Sequence, residues 1–433
     1  MKYSYVSRSV SPIAIFSLAL AIRLTYNLTV ARDYYPLHDS LTYQSIAYNI
    51  LQYHCYCLLP HLPTVDRAPL WPALIALIYG MFGPHDHFVR LFLCLIGSGT
   101  CLLTYALARG LFGRASGVAA GVIAALYPFL YIYDGWLYTE SLYTFLLLAF
   151  VYTMYLLQHK TASSRMLVLG GLLLALITLT RPNGLLILGL FVLWSLLVAR
   201  SGILPAYRVR RYGVVIPLVT ALLVIPWTAR NYLVTGELVP VAVGDGKVLL
   251  GAYNDMILRL PYYLGIWIIP RLSAPDVDRQ FPADCASACE VRRDRTYLHY
   301  AQQWMQNHQS TLPYLLLLHF LNTWQTTTQE ADLPINRFAQ RPAAQLVVSM
   351  MKEMTPIVLV LATLGLILTR KKWRSLLFIY GLIALTVAQN IVFYGIPRFR
   401  APIEPLLIIL ASGIIWWTLV AIREFLMIHE PVT

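Results

Sequence analysis

RMLVLGGLLLALITLTRPNGLLILGLFVLWSLLVAR, residues 165–200, is the stretch on which the fold turns. Two apolar runs, at about 165–180 and 183–199, are parted only by the Arg181-Pro182-Asn183 break and closed at their far ends by Arg165 and Arg200. An apolar run of roughly 20 residues crosses bilayer hydrocarbon as a helix, because a helix satisfies its own backbone hydrogen bonds where water cannot. The stretch therefore reads as a helical hairpin in a membrane. Short cytoplasmic loops collect basic residues, which puts Arg165 and Arg200 inside and the Arg181 turn outside.

The same pattern recurs along the chain. Further candidate spans lie at about 11–30, 86–109, 115–133, 138–158, 212–229, 345–369, 374–395 and 401–422, making about ten in all. With 58% hydrophobic and 12% charged residues over 433 positions, a soluble fold would expose far too much apolar surface. An all-α, polytopic membrane protein is expected. Ten spans put both termini in the cytoplasm. The inner segments then hold Lys2, Arg8, Arg109, Arg114, Lys160, Arg165, Arg200, Arg208, Arg210, Arg211, Arg370, Lys371, Lys372, Arg374 and Arg423, against only Glu424 and Glu430. One topology thus accounts for the net charge of +13, and the basic residues are too scattered to form a nucleic-acid surface. Met1-Lys2 and Arg8 ahead of an apolar run suggest a signal peptide. However, the run is too long and Tyr26-Asn27-Leu28-Thr29-Val30 offers no small-residue cleavage site, so an uncleaved first span is expected. Arg23 inside that span either snorkels outward or faces a protein-lined cavity.

Two outer loops are long, 31–85 and 231–345. Loops of that length are usually functional or folded in their own right. Shorter apolar runs within them, about 70–83 and 313–325, are flanked by Pro69, Pro72, Pro84 and Pro313 and fit juxtamembrane helices. The chain divides into an N-terminal membrane module (1–230), the large outer loop (231–345) and a C-terminal group of spans (346–433). Cys55, Cys57, Cys285 and Cys289 lie on the outer side, where they can oxidise in any of three pairings. Their spacings match no zinc pattern.

A series of short motifs runs in order along this topology. It begins with Asp39 after the first span and Ala47-Tyr48-Asn49, then Arg67-Ala68-Pro69-Leu70-Trp71-Pro72 and Ala106-Leu107-Ala108-Arg109-Gly110-Leu111-Phe112-Gly113. Thr139-Glu140, Leu179-Thr180-Arg181-Pro182-Asn183-Gly184 and Pro226-Trp227-Thr228-Ala229-Arg230-Asn231-Tyr232 follow, and Arg398-Phe399-Arg400-Ala401-Pro402-Ile403-Glu404-Pro405 closes the series. Together they resemble the GT-C superfamily of integral-membrane glycosyltransferases, in particular the branch of bacterial protein O-mannosyltransferase-like enzymes and the lipid A aminoarabinose transferase. The resemblance covers nearly the whole chain. It implies a GT-C fold and transfer of a sugar, with inversion, from a polyprenyl-phosphate donor. The acceptor would be a lipid, glycan or protein on the outer face of the cytoplasmic membrane.

An acceptor hydroxyl is a poor nucleophile near neutral pH and needs a carboxylate as general base. Asp39 matches the family's catalytic aspartate. The family often carries a second acid directly after it; here Ser40 follows and His38 precedes. Asp39 could equally cap the helix that starts near Leu41. The leaving phosphate gains charge as the glycosidic bond breaks, and arginine forks suit it. Arg67 aligns with a basic residue that contacts the carrier phosphate in the aminoarabinose transferases, and Arg230, Arg398 and Arg400 close spans on the same face. Each of these arginines could instead pair with lipid headgroups. Asp66 stands where those transferases carry an acid linked to a metal, but His54, His61, His299 and His308 are scattered, so no metal is expected. Glu140, at the head of a span and within reach of Arg181, His38 beside Asp39, and Tyr253 and Asn254 in the large loop are candidates for positioning substrate. A transporter or flippase remains the alternative; it would line the bilayer midplane with ionisable residues.

Overall fold

The computed structural model describes residues 12–159, 163–282 and 284–428, with side chains described as far as Ile422. Of the inner charges named above, Lys2, Arg8, Lys160 and Glu430, and the side chains of Arg423 and Glu424, lie outside the described residues. The architecture is all-α except for one two-stranded ribbon, β1 (Cys57–Leu59) against β2 (Leu62–Pro63). Helices α1 (Pro12–Thr29), α2 (His38–Tyr53), α3 (Leu70–Phe82), α4 (Asp86–Phe112), α5 (Arg114–Leu126) and α6 (Pro128–Tyr131) come first. They are followed by α7 (Glu140–His159), α8 (Ser164–Thr180), α9 (Gly184–Arg200), α10 (Ala206–Thr235) and α11 (Asp245–Ala252). Among the described residues seven helices are long and apolar enough to cross a membrane, eight if the bent pair at Tyr127 counts as one span. The opening hairpin, α8 and α9, falls just short, since 17 residues rise only about 25 Å.

The bent pair corrects one expectation. A straight span over 115–133 does not form: α5 ends at Leu126 and the chain turns by 70° into α6 and the turn ending at Gly135. Tyr127 precedes Pro128, whose ring disfavours helical backbone in the residue before it, and Tyr127 is extended at φ −77° and ψ 115°. Every residue from Tyr127 to Thr144 is buried, so the chain re-enters the protein rather than lipid. Arg23 on α1 anchors this turn through an ion pair to Asp134 at 2.8 Å, both side chains fully buried. Gly97 on α4 makes the pair possible, because any Cβ there would collide with both partners. Arg23 thus faces protein and does not snorkel.

The two long loops, 31–85 and 231–345, pack against each other. Glu290, on the helix Ala288–Asn307, accepts from the Thr64 hydroxyl at 2.6 Å and the Val65 amide at 2.7 Å, and the Ser287 hydroxyl donates to the Pro63 carbonyl at 2.7 Å. The loop cysteines pair with their near neighbours, Cys55 with Cys57 and Cys285 with Cys289.

Candidate functional site

The loop that carries Arg67 is stiff, and its ends are pinned. Pro69 caps α3, Trp71 is fully buried with its indole N–H donating to the Leu137 carbonyl at 3.2 Å, and the Tyr56 hydroxyl donates to the carbonyls of Arg67 and Ala68 at 3.0 and 3.1 Å. Arg67 is thereby aimed at the first turn of α2. Its Nη2 meets Asp39 at 2.7 Å and its Nη1 meets Asp66 at 2.6 Å, with the Tyr43 ring 5.7 Å below the guanidinium. Asp39 is not a helix cap: Leu37 holds that position and no side chain caps the helix. About 40% of the Asp39 side chain is open to solvent. Burial pushes its carboxyl up, but Arg67, then Arg398 and Lys247, outweigh this and hold it down at about 2. Asp66 is lowered too, with burial opposed by Arg67, Lys247 and Arg293.

The buried turn supplies the second wall. Glu140 is fully buried, and one of its oxygens takes both Arg181 and Arg398. Arg181 also donates from Nε to the Thr139 hydroxyl at 2.7 Å. Arg398 lies over Tyr138 at 4.3 Å and Trp136 at 5.2 Å. Its Nε is used on Glu140, while neither Nη makes a hydrogen bond among the described residues. It also helps hold down the Asp39 carboxyl, which puts the two groups in one field.

Glu330 completes this side. Both its carboxylate oxygens are buried without a hydrogen-bond partner. Burial lifts it to about 7, with Arg398 pulling the other way. Two residues on, buried Asp332 accepts from the Trp136 indole at 2.8 Å and the Ser40 hydroxyl at 3.2 Å.

The structure brings Asp39, Asp66, Arg67, Glu140 and Arg398 together. It employs other expected residues elsewhere. Arg230 donates to the carbonyls of Thr64 and Tyr56 at 2.8 and 3.0 Å and stacks on Trp227, stapling α10 to the ribbon loop. Arg400 is fully buried, paired with Glu404 at 2.5 Å and bonded to the Thr323 carbonyl at 2.8 Å, with no surface left for a lipid phosphate. Tyr253 is buried and donates to the Val392 carbonyl at 2.5 Å. The Asn254 side chain bonds the Leu250 and Gly251 carbonyls and the amides that follow it, so it shapes its own turn. His38 is exposed, with a left-handed φ of 50° at the start of α2. Among the described residues no three His, Cys, Asp or Glu side chains converge to hold a metal. Asp39 and Asp66 share the single guanidinium of Arg67.

Glu330, Asp332 and Lys247 were not legible as site residues. One signal was there: Glu330 and Asp332 are the first acids after the apolar run 313–325.

Residues 66–228 match the family described as dolichyl-phosphate-mannose-protein mannosyltransferase. The archaeal oligosaccharyltransferase AglB from Archaeoglobus fulgidus, solved with an inhibitory peptide and a dolichol-phosphate, superposes with a TM-score of 0.53 at 13% identity. The match covers 96% of this chain and 51% of that one. The chain shares the fold of this membrane protein. It spans about half the length of AglB, which was also solved in complex with zinc and sulfate. ArnT from Cupriavidus metallidurans, bound to undecaprenyl phosphate, matches at a TM-score of 0.46 and 15% identity over 93% of this chain and 77% of its own. No curated protein matches the sequence. In this GT-C fold the family match begins at Asp66, so it takes in Arg67 and the buried turn but not Asp39.

Proposed function

We propose that the chain is an inverting glycosyltransferase that moves a sugar from a polyprenyl-phosphate donor to an acceptor hydroxyl at the outer face of the cytoplasmic membrane. The observation that carries this reading is a partly open ion pair, Asp39 with Arg67, in the field of Arg398, whose Nη groups make no hydrogen bond among the described residues. The dolichol-phosphate solved with AglB supports a lipid phosphate as the anion.

In the empty site Asp39 is ionised but, at about 2, a weak base. A donor phosphate arriving at Arg67 competes for the guanidinium, frees Asp39 and raises its basicity. The acceptor oxygen then attacks the anomeric carbon, its proton passes to the Asp39 carboxylate, and the bond from that carbon to the phosphate oxygen breaks. The leaving polyprenyl phosphate keeps the electron pair, and Arg67 and Arg398 balance its charge. Glu140 orients Arg398. Attack from the face opposite the phosphate inverts the configuration. The alternative, a transporter or flippase, calls for open charges along the midplane. Here Arg23–Asp134 and Arg400–Glu404 are closed pairs with no exposed surface.

The test is transfer of label from a panel of polyprenyl-phosphate sugars into native membranes by the purified chain and by Asp39→Asn. The variant is expected to bind donor normally and lose transfer by on the order of 10³-fold or more, in the range for loss of a general base. Normal turnover by Asp39→Asn would remove Asp39 from this role.

A further inference from the structure

The carboxylate of Asp332 joins the two halves of the site, which come from segments far apart in the chain. One of its oxygens accepts from the Ser40 hydroxyl at 3.2 Å and from the Trp136 indole at 2.8 Å. Ser40 is the immediate neighbour of Asp39, and its oxygen in turn accepts from the Tyr34 hydroxyl at 2.7 Å. Trp136 stacks on Tyr138 with ring centroids 3.5 Å apart, and these two rings form the shelf beneath Arg398. The side chains of Ser40, Trp136 and Asp332 are all buried, so water does not compete for these bonds.

We infer that Asp332 is a positioning residue that sets the spacing between the base at Asp39 and the phosphate-holding Arg398. The inference rests on the transferase reading above. It gives Ser40 a role: where the resemblance expects a second acid, the serine hydroxyl serves as the donor through which an acid from the other long loop grips the start of α2. The proton arrangement is determined throughout. Tyr34 donates to Ser40, Ser40 donates to Asp332, and Trp136 can only donate. The shared oxygen of Asp332 therefore accepts twice, and these bonds oppose the burial that lifts its carboxyl. Its other oxygen makes no hydrogen bond and lies 3.8 Å from Arg337, whose charge favours the carboxylate. Asparagine can accept the same bonds only by turning its amide toward Arg337, a cation without an acceptor to offer.

A group held about 1 Å out of place for attack loses on the order of 10²-fold in rate with little change in binding. Asp332→Asn is therefore expected to lower kcat by roughly 10- to 100-fold and to leave donor affinity within about threefold. Ser40→Ala cuts only one arm and Trp136→Phe only the other, keeping a ring under Arg398, so each should cost less. Combining Ser40→Ala with Asp332→Asn should cost little more than Asp332→Asn alone, because both act on one link. All variants are compared with Asp39→Asn in the same purified preparation, with apparent Tm recorded for each. Additive losses in kcat, a loss that appears in donor affinity instead, or an unchanged kcat in Asp332→Asn would overturn the coupling. If Asp332→Asn does not fold, the milder Ser40→Ala and Trp136→Phe pair decides by the same criterion. Turnover by Asp39→Asn would defeat the transferase assignment itself; a dead Asp39→Asn beside an additive cycle defeats only the role of Asp332.

Discussion

Two ion pairs in this protein have almost the same length and opposite surroundings. Arg23–Asp134 spans 2.8 Å with both side chains fully buried, and Arg67–Asp39 spans 2.7 Å with 16% and 40% of the side chains open. The buried pair is wrapped: Arg23 also bonds the Ala19 carbonyl and the Cys101 sulfur, Asp134 accepts from the Ser141 hydroxyl, and Gly97 leaves room for nothing else. The open pair has a second carboxylate, Asp66, on the other side of Arg67. Identical chemistry is thus sealed in one place and left partly open in the other, and on the function proposed above the open pair is the one that meets substrate.

The sharpest way to break this comparison is to cut each pair on one side. Removing one member of a buried pair strands a charge in low dielectric and costs about 3–5 kcal/mol, enough to unfold a protein of ordinary marginal stability. Arg23→Ala is expected to give little folded protein, by size-exclusion profile and apparent Tm in detergent. Asp39→Asn should melt within a few degrees of the parent chain, since an exposed pair contributes only about 0–1 kcal/mol. Comparable losses of stability in both would dissolve the distinction.

The fold was largely readable because hydrocarbon imposes one rule on every span. The hairpin at 165–200 and the long helices lie where the apolar runs place them. The bend at Tyr127 was missed because apolar residues run straight through it, and burial in protein looks the same in sequence as burial in lipid. Asp39, Asp66 and Arg67 were named from the motif series, and the structure packs them together. Arg230 and Arg400 belong to that series equally, and the structure uses them for packing. Residue type cannot tell an arginine with a carbonyl beneath it from one in a partly open ion pair. Glu330 and Asp332 lay hidden for a related reason: their partners come from 136–140, 398 and 40, and no spacing along the chain predicts that convergence.

A smaller effect sharpens the same contrast among the arginines. Arg67→Ala is expected to weaken donor binding by roughly 10- to 100-fold, about the loss of one charged hydrogen-bonding contact of 1.5–3 kcal/mol. Arg400→Ala should instead lower apparent Tm, and in whatever folds donor affinity should stay within about threefold. Titration of each with a polyprenyl phosphate in nanodiscs separates the two. A fall in donor affinity for Arg400→Ala at unchanged Tm would return that residue to the site.

The least of these effects is a pH dependence, and its sign is fixed by Glu330. A glutamate ordinarily ionises near 4.5, whereas burial lifts this one to about 7. Between those values the folded chain binds a proton that the unfolded chain has released. Stability must therefore fall as pH rises through the window, and the loss is complete above about 7. Asp39 runs the other way: held at about 2 against an ordinary 3.8, it contributes stability above that range that disappears as pH falls toward 2, outside the Glu330 window. Glu330→Gln removes the titration, so the variant's apparent Tm should be flatter from pH 5 to 8 and higher than the parent's at pH 8. A displacement from 4.5 to about 7 corresponds to roughly 3 kcal/mol at most. If the two curves run parallel across the window, Glu330 is already paired or hydrated in the folded chain, and the buried acid beside Arg398 is not the unpartnered group its surroundings make it.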